Sequence, residues 1–165
     1  MQKMIVSTPL LVFAVALLFA AAFMAVPAKA DSPHFVSGPT CTLSTTTGLT
    51  CTGKVAGLGT VPDSVDLSDT KTTANWVCKN KGGNVAPGQP TVSNNQVGPP
   101  GSITVKGGNI IFSATLPPPP APNPSVDCPN GNWTVSLTSL TFSGVVVNFF
   151  KGGALEASLT VGDFQ

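Results

Sequence analysis

Four cysteines, Cys41, Cys51, Cys78 and Cys128, offer the most chemistry in this chain. Paired thiols form disulfides in an oxidising compartment, ligate zinc, or work as a redox couple. Spacing separates these uses. No Cys-x-x-Cys occurs and His34 is the single histidine, so neither a zinc site nor a redox dithiol is spelled out. Cys41-Thr42-Leu43 and Leu49-Thr50-Cys51 alternate in the same phase around Thr45-Thr46-Thr47-Gly48. Pairing Leu43 with Leu49 sets Cys41 opposite Cys51, and the turn is three threonines followed by a glycine that tolerates positive φ. That leaves Cys78–Cys128 as the second bridge.

Other reactive groups are less well placed. Asp63, Asp66 and Asp69 recur every three residues, and calcium needs several such oxygens around one point. Val65 and Leu67 interleave, which puts Asp66 on the opposite strand face from Asp63, so a solvated strand edge is expected and no metal site is assigned. His34 has no evident serine or aspartate partner and sits in a segment expected to fray. Asp127, Glu156 and Asp163 have no spacing that makes them a carboxylate pair, and none supports a serine–lysine dyad. The chain is expected to be non-enzymatic and to need no cofactor.

Binding has better candidates. The Asn80–Gln89 loop follows a cysteine and is rich in amides and glycines: Asn80, Gly82, Gly83, Asn84 and Gln89. It reads first as a structural turn held by the disulfide, and second as a backbone-lined ligand site. Trp76 and Trp133 are in phase with apolar neighbours, so core packing is expected of both; the alternative is an aromatic platform for sugar. Phe149-Phe150 places adjacent aromatics on opposite faces of a strand. They read first as core packing with incidental exposure, and second as a partner surface, since one of them is exposed unless both sheet faces are covered. Asn132-Trp133-Thr134 fits the glycosylation sequon, with modification depending on the host.

The elements that must carry these residues are strands. Ala74, Trp76 and Cys78 share one face, as do Ile110, Phe112, Ala114 and Leu116, then Trp133, Val135 and Leu137, then Leu155, Ala157, Leu159 and Val161. This period of two describes half-buried antiparallel sheet. Val61–Leu67 and Ser102–Val105 read as shorter strands. In Leu140–Phe150 the phase is ambiguous, and Gly144 is placed to carry a bulge that switches faces. About eight or nine such strands, punctuated by glycine and proline, predict an all-β antiparallel sandwich stapled by two disulfides. The run Pro117–Pro124 reads as an extended, stiff, projecting polyproline loop within the single domain 31–165.

The opening of the chain addresses the rest. Lys3, the apolar run Ile5–Val26 and Ala28-Lys29-Ala30 have the layout of a secretory signal over residues 1–30, with cleavage before Asp31. Residues 31–165 carry six lysines against six aspartates and Glu156, a net charge of 6 − 7 = −1, and no arginine or tyrosine. A surface so nearly neutral has no electrostatic footprint for nucleic acid, nor for a membrane once the signal is removed. It resists self-association only weakly.

The loop Cys78-Lys79-Asn80-Lys81-Gly82-Gly83-Asn84-Val85-Ala86-Pro87-Gly88-Gln89, with the later Asp127-Cys128-Pro129-Asn130 and Trp133, resembles a group of uncharacterised small secreted bacterial proteins. Lys81 stands where that motif has proline. The resemblance implies a secreted protein and carries no activity. The order Cys51…Trp76…Cys128 resembles immunoglobulin-like sandwiches in architecture only, since a tyrosine corner is impossible and the expected cysteine pairing differs.

The expected function is that of a secreted structural or protein-interaction module of the cell envelope or extracellular space, with self-association or an extracellular partner. The alternatives are a carbohydrate-binding module and a secreted inhibitor presenting the proline-rich loop.

Overall fold

The computed structural model describes residues 32–165. The expected signal peptide over residues 1–30 and its cleavage before Asp31 lie outside the described residues. In chain order the strands are β1 (His34–Ser44), β2 (Gly48–Ala56), β3 (Ser64–Ser68), β4 (Lys71–Lys79), β5 (Val85–Pro87), β6 (Thr91–Asn94), β7 (Ser102–Lys106), β8 (Asn109–Leu116), β9 (Thr134–Lys151) and β10 (Ala154–Phe164). A single helical turn, α1 (Pro124–Asp127), precedes β9. One sheet has the order β1-β2-β8-β7. The other runs β10-β9-β4-β5, with β3 added to β9 and β6 to β4. Every pairing is antiparallel.

The fold is a β-sandwich, because each sheet has one apolar face to hide. Leu49, Cys51 and Val55 from β2 and Ile110, Phe112, Ala114 and Leu116 from β8 are buried against Val65, Leu67, Ala74, Trp76, Leu140, Phe142, Val145, Val147 and Phe149 of the other sheet. At the centre the Phe112 ring meets Phe149 edge-on at 5.6 Å, a favoured aromatic geometry. Two short strands, β5 and β6, exceed the expected count, because prolines and glycines interrupt residues 85–94 and obscure their alternation. The expected strand from Val61 begins at Ser64, leaving Val61 exposed.

Both expected bridges are present. Cys41 lies directly opposite Cys51, and Leu43 opposite Leu49. Gly48 closes that hairpin with φ +85°, and a Cβ there would lie 2.1 Å from the Leu116 carbonyl oxygen. Cys78, at the end of β4, bonds Cys128 just after α1, with Cα atoms 5.8 Å apart. The first bridge joins neighbours within one sheet and the second ties a strand to a loop, so neither is a cross-sheet bridge of the immunoglobulin kind.

The long strand β9 changes face twice. Val135 and Leu137 face inward, then Leu140 and Phe142, then Val145, Val147 and Phe149. The first change is a bulge opposite Asn75/Trp76 of β4. The second is at Gly144, with φ +62°, where β9 passes from β4 to β3 along one side. Gly144 N–H donates to Asp163 Oδ1 at 2.7 Å. The bulge anticipated at Gly144 is therefore real, and the expected strands around residues 133–138 and 140–150 join into one.

Several expectations need correction. Leu155 is exposed rather than inward, because a register shift separates it from Ala157. Pro119 is fully buried while Pro117, Pro120 and Ala121 are exposed, so the polyproline run is anchored to the body at one residue and does not project along its whole length. His34 is paired with Ala56 at the start of β1, not in a frayed end. Among the described residues no helix is long and apolar enough to cross a membrane.

Candidate functional site

The most distinctive surface feature is an open recess of about 410 Å³ lined by Asn80, Lys81, Gly82, Asn130, Asn132 and Trp133. The Cys78–Cys128 bridge stands beside it and holds its two walls together. One wall is the turn between β4 and β5. Asn80 closes that turn: its backbone N–H donates to the Asn84 carbonyl at 3.1 Å, its carbonyl accepts from Gly83 N–H at 3.0 Å, and its Oδ1 accepts from Asn84 N–H at 2.9 Å.

The other wall is the link from α1 to β9. Asn123 caps α1 by accepting from Ser125 N–H at 3.0 Å. Asn130 then builds a turn of its own, its Oδ1 accepting from Asn132 N–H at 3.1 Å and its carbonyl from Trp133 N–H at 3.2 Å. This turn holds Trp133 just outside β9, so its indole is half-buried and lies outside the core cluster. The core role expected of Trp133 is thus corrected. Trp76 does take it, buried with its Nε1–H donating to Thr91 Oγ1 at 3.1 Å.

The recess offers amide donors, a cation and an aromatic ring. Asn80 and Asn130 commit their carboxamide oxygens to backbone N–H groups, which leaves each Nδ2 to donate elsewhere. Lys81 adds a cation, and Trp133 an apolar ring with a polar edge. Its side chains are amides, one amine and one indole, with no carboxylate, hydroxyl or imidazole among the lining residues.

Of the loop residues that the sequence points to, Asn80 and Gly82 line the recess. Gly83 and Asn84 complete the turn behind it, and Gln89 is exposed beyond β5. Asn132, the sequon residue, also lines it and is exposed. Lys81 and Asn130, which the sequence shows only as members of the two motif segments, also line the recess. Only the motif Cys128-Pro129-Asn130, sharing a bridge with Cys78, hints that the two segments meet.

Phe149 and Phe150 are elsewhere. Phe149 is fully buried, and Phe150 is half-buried on the outer face, where β3 and β10 flank it through Ser64 and Leu155. The pair does not form the exposed aromatic surface that adjacent phenylalanines suggest. The aspartates are structural. Asp63 Oδ2 accepts from Gly152 N–H at 2.7 Å, and Asp66 Oδ1 accepts from Asn148 Nδ2 at 2.9 Å. Asp69 is buried rather than solvated, accepting from Thr72 Oγ1 and, at 3.0 Å, from Gln96 N–H. Among the described residues no three of His, Cys, Asp and Glu are placed to hold a metal ion.

Comparison with protein families, with curated proteins and with solved structures returned no significant match.

Proposed function

We propose that this protein is an exported, non-enzymatic binding module of immunoglobulin-like architecture whose recess at Asn80–Gly82 and Asn130–Trp133 takes a polyhydroxylated ligand, an oligosaccharide in the first instance. One observation carries the reading: Trp133 is held out of the core and set in an open recess beside three asparagines and Lys81. A sugar presents apolar C–H faces to a ring and hydroxyl groups to amides, and binding sites commonly combine an apolar wall with a few placed polar groups. Export is supported by the apolar run at Ile5–Val26 and by two disulfides, which persist mainly in oxidising compartments.

The test is a glycan panel probed with the oxidised protein, followed by calorimetry on any binder. At least one oligosaccharide should bind, and Trp133→Ala should weaken it by about tenfold, or ~1.4 kcal/mol. Trp133→Ala and Asn130→Ala proteins that bind the same glycan as tightly as the parent would remove the recess as its site. A panel with no binder at all would count against sugar as the ligand class.

A further inference from the structure

We infer that the oligosaccharide taken by this recess is an acidic one, its carboxylate or sulfate group set against Asn80, Lys81 and Asn130, an inference that rests on the sugar reading proposed above and narrows it to one class. Donors and acceptors are out of balance there. A neutral sugar presents hydroxyl groups, and each hydroxyl has a hydrogen to donate as well as lone pairs that accept. A site matched to such groups offers partners of both kinds.

This recess offers mostly donors. Asn80 Oδ1 is taken by Asn84 N–H at 2.9 Å, and Asn130 Oδ1 by Asn132 N–H at 3.1 Å. A backbone N–H is met only by the oxygen end of a carboxamide, so these two bonds also fix which way each amide is turned. What remains on each is Nδ2 with its two hydrogens. The nearby backbone carbonyls are engaged in the same way: Asn80 accepts from Gly83 N–H at 3.0 Å and Asn130 from Trp133 N–H at 3.2 Å. The Lys81 ammonium only donates, and so does the Trp133 indole N–H. Asn132 brings the one carboxamide oxygen of the lining set that no turn engages.

Charge points the same way. Lys81 is the single charged group among the lining residues. Asp127, the carboxylate closest in sequence, ends α1 and lies outside the lining set. A Cβ on Gly82 would lie 3.4 Å from Asn80 Oδ1, so the bare glycine between the walls keeps the Asn80 carboxamide uncrowded. An ionised carboxylate or sulfate complements this set. It accepts and does not donate, and its bonds from an ammonium are roughly twice as strong as neutral ones. The Trp133 ring is left for an apolar C–H face of the same sugar.

Calorimetry on the oxidised protein with three probes tests it: an oligogalacturonate, the same oligomer with its carboxylates methyl-esterified, and a sulfated galactan oligosaccharide. The free acid is expected to bind about tenfold tighter than its ester, and to lose that advantage as salt is raised. Lys81→Gln should bring acid and ester to within about twofold of each other. Asn130→Asp keeps the oxygen that holds Asn132 N–H and replaces the free Nδ2 with a carboxylate oxygen. It should weaken the acid by about tenfold and the ester far less, whereas a damaged turn would weaken both alike. Tight binding of the sulfated galactan without the uronate upholds the inference and names sulfate as the group. Acid and ester that bind alike, or a preference for the acid that survives both variants, would overturn the inference and leave the sugar-binding recess standing. If none of the three probes binds, the inference and the reading beneath it fall together.

Discussion

The two halves of β9 are one strand with two different fates. From Val146 to Phe149 it is bonded on both sides, by β3 and β10, and Val145, Val147 and Phe149 are fully buried. Each such side chain contributes about 1.5–3 kcal/mol through removal from water. From Thr134 to Leu137 it is bonded to β4, with no second strand among the described residues, and Val135 and Leu137 are half-buried. Trp133 stands just before it, outside the core. The second half is built for stability. The first half is held by the Cys78–Cys128 bridge and carries Trp133 outside the core. Gly144 is where one regime gives way to the other.

The contrast is most directly broken in the core. Phe149→Ala removes the ring that packs edge-on against Phe112 and should cost about 3–5 kcal/mol in urea unfolding. Leu137→Ala, in the half-buried half, should cost clearly less. If the two losses are equal, the division of β9 is wrong.

Removing the second bridge sharpens the same point. Cys78→Ala with Cys128→Ala opens a loop of sequence separation 50, worth up to about 4 kcal/mol in the chain-entropy description. The loosening should concentrate at the recess. Trp133 emission should shift to the red while amides of Val145–Phe149 stay protected from exchange.

Gly144→Ala attacks the junction. The backbone there has φ +62°, and the new Cβ would lie 2.6 Å from Thr70 Oγ1. The left-handed conformation alone should cost about 1–2 kcal/mol, visible as a lower midpoint in thermal unfolding. Smallest of all should be the stability effect of Trp133→Ala. With its indole outside the core, the variant should lie within about 1 kcal/mol of the parent while losing ligand affinity. A loss of several kcal/mol would show Trp133 to be structural after all.

Much of the fold is legible in the amino-acid order. Alternation around Thr45–Gly48 predicts the hairpin, its register and, by remainder, both bridges, because a period of two leaves few ways to pair two short strands. The bulge at Gly144 is legible because the apolar phase visibly slips there. What stays hidden depends on contacts distant in sequence. Trp133 shares the phase of Val135 and Leu137, yet Asn130 folds the preceding chain so that the strand starts one residue later. Asp69 looks like a surface aspartate until Gln96 N–H and Thr72 Oγ1 close around it. Phe150 looks exposed until β3 and β10 flank it. The recess joins residues 80–82 to residues 130–133, and only the bridge between Cys78 and Cys128 signals that meeting.

The two tryptophans have opposite roles, and their indole N–H resonances report on both at once. Each can be followed by NMR in the folded, oxidised protein during titration with the oligosaccharides that bind. The Trp133 signal should exchange quickly with water and move with ligand. The Trp76 signal, bonded to Thr91, should exchange slowly and stay still. A Trp133 signal that is as protected as that of Trp76 and unmoved by every binding glycan would contradict this division of roles.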